Sequence, residues 1–108
     1  MAECFRKKIL IVDDQQEIRS LLFFSLSSMN YKLLLASDGD SALAIFQSNH
    51  PDIVILDIMM PGQMNGLDVC RILKADKRPP QVIFLSALAR ADDIQRGFEA
   101  GGDAYITK

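Results

Sequence analysis

The chain has little of what several common protein classes require. It carries only two cysteines, Cys4 and Cys70, and one histidine, His50. No Cys/His pairs stand at ligand spacing, which argues against zinc. The amino terminus, MAECFRKK, has charges and no apolar core, so it does not read as a secretory signal. Both cysteines are therefore expected as reduced thiols in a cytoplasmic protein. No apolar run approaches the roughly 20 residues of a membrane span. There is no basic block and no interleaved Arg/aromatic run, and the formal net charge is −2, so direct nucleic-acid binding by this segment is disfavoured. No internal repeat, linker or Gly-rich phosphate loop is visible.

What is present suits one α/β domain. The 108 residues are 49% hydrophobic, enough for a single core. Five segments read as strands: KILIVD (8–13), YKLLLAS (31–37), DIVILD (52–57), QVIFLS (81–86) and DAYIT (103–107). Several are almost continuously apolar, which indicates burial on both faces and a parallel sheet. The segments between them have helical spacing. Ile18, Leu21, Leu22, Ser25 and Met29 share one face of the first, and Ala42, Leu43, Ile45 and Phe46 cluster on the second. The third runs from about Leu67 to Ala75, with Cys70 three residues from both Leu67 and Leu73, where a small buried hydrophobe belongs. Ile94 and Phe98 stand four apart on the fourth. Breakers close each stretch: Asn30, Asn49-His50-Pro51, KRPP and Gly101-Gly102. Alternation from end to end predicts right-handed crossovers with helices on both faces of the sheet.

In such sheets, ligands and chemistry gather at the carboxyl ends of the strands. Those ends carry Asp13 and Asp14, then Asp57, Ser86 and Lys108. Three neighbouring carboxylates stay ionised only with a cation among them, and an all-oxygen set suits Mg²⁺. Capping of the first helix is the other use for Asp13 and Asp14, and the two roles are compatible. Asp57 ends the most hydrophobic strand. A carboxylate can attack phosphorus to give an acyl phosphate, with a metal, a Lys and a hydroxyl neutralising the transferred oxygens. His50 precedes Pro51 at the opposite edge and reads as a loop residue.

The ordered segments ILIVDDQQEIR, DIVILDIMMPG…NGLDVC, VIFLSA and GGDAYITK closely resemble the receiver domain of bacterial two-component response regulators. The resemblance covers essentially the whole chain, residues 1–108. It implies a flavodoxin-like, doubly wound sheet in the order 2-1-3-4-5. It also implies that Asp57 takes a phosphoryl group from a histidine kinase or a histidine phosphotransfer protein. Asp14, Asp57 and the backbone carbonyl of Met59 would hold Mg²⁺, with Asp13 acting through water. Lys108 would contact the phosphoryl oxygens, and Ser86 and Tyr105 would form a switch pair in which the ring turns inward. Such a module modifies its own Asp57 and is not expected to be an enzyme acting on an external substrate. A haloacid-dehalogenase-like phosphatase would want an acid at position 59, where Met59 stands. A nucleotide or flavin binder would want glycines where the chain reads DDQQE.

The sequence departs from the family pattern in three places. The loop after Asp57 is one residue longer, with Gln63 the insertion. The family usually continues past Lys108 with Pro and a fifth helix, so a chain ending there is expected to leave apolar strand residues uncovered and to self-associate or lose stability. The usual homodimer face would be affected too. Residues 1–108 contain no segment that reads as an effector, so the output is left unassigned. With Ile18, Leu22 and Met29 inward, Gln16, Arg19 and Phe23 point outward on the first helix and are the expected docking residues for the phosphoryl donor.

Overall fold

A computed structural model of the chain describes residues 7–108. Cys4, and with it any pairing of Cys4, lies outside the described residues. Five parallel strands, β1 (Lys7–Val12), β2 (Tyr31–Ala36), β3 (Ile53–Leu56), β4 (Gln81–Ser86) and β5 (Ala104–Thr107), form one sheet in the order β2-β1-β3-β4-β5. Four helices connect them: α1 (Gln16–Leu26), α2 (Gly39–Asn49), α3 (Gly66–Lys74) and α4 (Ala91–Glu99). The sheet is the expected flavodoxin-like one, and each strand lies within one residue of its predicted bounds.

One face of the sheet holds the main core. Leu10, Val12, Val54, Leu56, Val82 and Phe84 pack there against Ala42, Phe46, Val69, Cys70, Leu73 and Ala100 from the helical segments. Burying this much apolar surface is the main driving force for the fold. Side-chain caps set where two of those helices begin. Asp38 Oδ1 accepts from the Ser41 amide, and Asn65 and Asp68 exchange bonds in a capping box at the start of α3.

The second face is covered unevenly. The α1 side buries Ile9 and Ile11, whereas Ile83 and Leu85 are only half-buried and Ile106 is exposed. Burial on both faces therefore holds for β1 and fails for β3 and β4. The predicted inward face of α1 also needs correction. The half-buried line is Ile18, Leu22 and Leu26, while Leu21 is 62% and Met29 55% exposed, and Ser25 is exposed as well. The helix ends at Leu26 and passes into a 3₁₀ turn, so Met29 falls out of phase with the 3.6-residue repeat. On α4, Ile94 faces inward but Phe98 is half-exposed, because the helix meets the sheet through Gly97.

Cys70 is fully buried as a free thiol and donates to the Ala100 carbonyl at 3.4 Å. Burial pushes its pKa up to about 11. Because the folded value is raised, the thiol's contribution to stability is complete below the ordinary value of 9.0 and is lost as pH rises through about 11. Native alkylation at pH 8, mapped by mass spectrometry, should leave Cys70 unmodified until the chain unfolds. Labelling at the rate of the denatured protein would contradict this placement.

Candidate phosphoacceptor site

Strand pairing carries the carboxylates to one edge. The Asp13 amide donates to the Ala36 carbonyl at 3.1 Å and the Asp57 amide to the Val12 carbonyl at 3.0 Å, so both backbones continue the ladders just past β1 and β3. Asp13 is 2% exposed and Asp57 5% exposed, while Asp14 is open to solvent. Carboxylate oxygens of Asp13, Asp14 and Asp57 lie within 4.8 Å of one another. At an effective dielectric constant of about 20, two such charges repel by roughly 3–4 kcal/mol. The Asp13 Oδ1 accepts from the Gln15 amide at 2.9 Å, a local turn that leads into α1. The expected capping role therefore takes this form, and the Gln15 side chain itself caps nothing.

Lys108 is the cation of the cluster. Its amide donates to the Ser86 carbonyl at 2.9 Å, which holds the end of β5 beside β4. Its Nζ lies 3.0 Å from an oxygen of Asp13, 3.0 Å from an oxygen of Asp57 and 3.3 Å from the Gln15 Oε1. Burial disfavours its charge, but the hydrogen bonds to Asp13 and Asp57 outweigh that and raise its pKa above the ordinary value. One ammonium among three carboxylates leaves a net negative, all-oxygen pocket. That donor set fits a hard divalent cation such as Mg²⁺.

Ser86 is buried at the end of β4, and its Oγ accepts from the Leu88 amide at 3.1 Å. Tyr105 lies inward against Phe84, with ring centroids 5.9 Å apart, and its hydroxyl donates to the Leu88 carbonyl at 2.6 Å. Burial raises the phenol pKa, a hydrogen bond with Ser86 opposes the rise, and the charges of Asp93 and Asp57 add to it. Asp14, Gln15, Asp57, Met59, Ser86, Ala87 and Lys108 together line a depression of 240 Å³. A larger groove of 680 Å³ runs alongside, past Met59, Leu67 and Leu88.

The family model for the response regulator receiver domain matches residues 9–108. The chain belongs to the response regulator receiver family. A probable transcriptional regulator ycf27 from Cyanophora paradoxa is 43% identical over 106 residues, which cover 98% of this chain and 44% of that protein. The DNA-binding response regulator MtrA of Mycobacterium tuberculosis is 39% identical, with 98% and 46% covered. This chain thus spans less than half the length of those relatives. Among solved structures, the response regulator TrrA from Thermotoga maritima in complex with Mg²⁺-BeF superposes with a TM-score of 0.83 at 37% identity, covering 94% of this chain and 86% of that one. The BeF₃-activated DrrB receiver domain gives 0.86 at 30% identity, covering 94% and 84%.

Receiver domains bind Mg²⁺ at an acidic pocket and are phosphorylated by kinases or phosphotransfer proteins, and the aspartate cluster of this receiver is consistent with that chemistry. The five strand-end residues read from the sequence converge as expected. Met59 is exposed beside them. The docking residues divide. Gln16 is exposed, but Arg19 is half-buried and turns back to donate to the Asp13 carbonyl at 2.6 Å, so it is not an outward residue. Phe23, 41% exposed, sits beside Ser27, Tyr31, Lys32 and Leu33 at the β2 edge, and Phe24 is the fully outward ring at 78%. The extra residue near Gln63 is absorbed in solvent. Pro61, Gly62 and Gln63 are exposed, and the chain rejoins the core at Met64.

His50 closes α2 at the other edge, where its ring packs on Phe46 and its Nε2 lies 3.8 Å from Asp76. Gln15, Gly66 and Gly97 escaped sequence reasoning. Nothing in their local pattern announces that Gln15 meets Lys108, Gly66 the Asp57 backbone or Gly97 the Tyr105 ring. Among the described residues no helix is long and apolar enough to cross a membrane.

Proposed function

We propose that this receiver is a cytoplasmic, phosphorylation-controlled module that accepts a phosphoryl group on Asp57. The observation that carries the reading is the buried Asp57 carboxylate held 3.0 Å from the Lys108 ammonium beside two further aspartates. A carboxylate oxygen of Asp57 attacks phosphorus, an O–P bond forms, and the P–N bond of a phosphohistidine breaks with its electrons returning to the imidazole. Lys108 neutralises one phosphoryl oxygen and Ser86 donates to another. Asp14, Asp57 and the Met59 carbonyl would hold Mg²⁺, with Asp13 acting through water, and the bound ion would offset the remaining negative charge. Titration of Mg²⁺ should weaken more in Asp14→Asn than in Asp13→Asn, since a direct ligand outweighs one acting through water. Equal losses would count against this ligand set.

The domain acts on its own aspartate and is not an enzyme toward other substrates. The donor is a histidine kinase or phosphotransfer protein that meets Gln16 and Phe23 on α1. The partly covered face carrying Ile83, Leu85 and Ile106 is where a fifth helix would seat, and with it a homodimer surface. Incubation with acetyl phosphate and Mg²⁺ followed by intact-mass measurement tests the core of the reading. One phosphoryl mass is expected, absent from Asp57→Asn. Its persistence in that variant would overturn the assignment of Asp57.

The acyl phosphate should be long-lived. Hydrolysis needs a water in line with the O–P bond, and polar side chains beside the site orient it. Met59 and Leu88 flank the depression and the groove, both are apolar, and neither can hold that water. Met59→Asn combined with Leu88→Glu should speed dephosphorylation by about 10-fold or more, followed by the decay of the phosphorylated mass. An unchanged decay would show that these side chains do not govern lifetime.

A further inference from the structure

The α4 helix packs on the sheet through a glycine. Gly97 is its one buried residue, and a Cβ there would stand 2.8 Å from Cδ2 and 3.0 Å from Cε2 of Tyr105. Those distances are shorter than carbon atoms tolerate. The ring therefore lies in a slot whose floor is the bare Cα of Gly97. Its back wall is Phe84, wholly buried and tilted 40° to the tyrosine ring. Beyond the slot the phenol donates to the Leu88 carbonyl, and the Leu88 amide donates to Ser86 Oγ. A continuous set of contacts thus runs from the interior of α4, through Tyr105 and the loop after β4, to a hydroxyl that lines the phosphoacceptor depression. Glycine is a poor residue for a helix interior, so local propensity does not ask for it at this position.

We propose that Gly97 is a positioning residue for Tyr105: the missing Cβ admits the ring inward, and the size of the residue at 97 sets the balance between inward and outward ring. What that balance means for signalling rests on the reading of Ser86 and Tyr105 as the switch pair; the slot itself is steric. Coupling between two sites is reciprocal. If an inward ring and a phosphoryl group on Asp57 favour each other, disfavouring the inward ring disfavours phosphorylation by the same factor.

The test uses the full chain with Tyr31→Phe and 3-fluorotyrosine incorporated, so that position 105 gives the single fluorine resonance. Gly97→Ala is expected to move that resonance toward the position of the solvent-exposed amino acid and to lower the phenol's titration midpoint. It should also lower the extent of phosphorylation by acetyl phosphate by about fivefold or more. Thermal unfolding supplies an independent measure. Gly97→Ala should lower the midpoint clearly more when Tyr105 is present than in a Tyr105→Ala background, where the close contact left for the added Cβ is Phe84 Cδ2 at 3.2 Å. An unmoved resonance, or an equal shift in both backgrounds, overturns the proposal. Should Gly97→Ala fail to fold alone, recovery of folding with Tyr105→Ala supports the slot, and failure in both backgrounds overturns it. A ring that swings outward without any change in phosphorylation sustains the positioning role and defeats the switch-pair reading instead.

Discussion

Replacing Lys108 by Met is expected to destabilise the fold by about 3–5 kcal/mol at neutral pH without Mg²⁺. The lysine side chain is 16% exposed and bridges the side chains of Asp13 and Asp57, themselves 3% and 6% exposed. Removing it strands two desolvated carboxylates within 4.8 Å of each other, with no other ammonium or guanidinium paired to them among the described residues. Mg²⁺ should restore much of the loss, and the variant should bind it more tightly than the parent because the metal would no longer compete with a bound ammonium. Urea unfolding of both proteins with and without Mg²⁺ measures this. Equal stability, or an unchanged response to Mg²⁺, would refute the bridging role. The same contacts predict a pH dependence. The Lys108 pKa is raised in the folded state, so its contribution is complete below the ordinary value of 10.5 and disappears as pH climbs through the higher folded value.

Gly66→Ala should be the most damaging single methyl group in the domain. A Cβ at position 66 would collide with the carbonyl oxygen of Asp57 and lie 2.8 Å from its carbonyl carbon and 2.8 Å from the Ile58 Cα. All three are backbone atoms, and the Gly66 amide already donates to the Ile58 carbonyl at 2.8 Å, so no side chain can rotate away to make room. Either α3 moves off the sheet or the segment that carries Asp57 shifts. A loss of about 3 kcal/mol or more is expected. Phosphorylation by acetyl phosphate should slow about 10- to 100-fold, since displacement of a reacting group by about 1 Å costs that much. Gly62→Ala provides the comparison. Its φ of +99° makes alanine strained, yet nothing lies within 4 Å of the added atom. A loss of only about 1 kcal/mol and an unchanged phosphorylation rate are expected there. Equal effects of the two substitutions would show that the close approach at Asp57 is not what Gly66 serves.

The strands and the gathering of Asp13, Asp14, Asp57, Ser86 and Lys108 were legible in the sequence for one reason. Apolar runs that end in polar residues define strand ends, and a parallel sheet brings every such end to the same edge. The strand order and the individual roles came from the family resemblance, because periodicity places residues on faces but does not order strands. Helix faces were legible only where a helix is packed along its length, as on α2 with Ala42 and Phe46. On α1 the true end at Leu26 put Met29 out of phase, and on α4 the close approach at Gly97 left Phe98 outside. Tertiary structure alone turned Arg19 back to the Asp13 carbonyl, brought Gln15 to Lys108, set Gly66 on the backbone of Asp57 and laid Tyr105 over Gly97. Each of these joins one element to another, although only Gln15 and Lys108 are far apart in the chain. Hydrophobic periodicity records which side of an element is buried, but the distance at which two buried sides meet depends on both partners at once, and only the packed fold contains it.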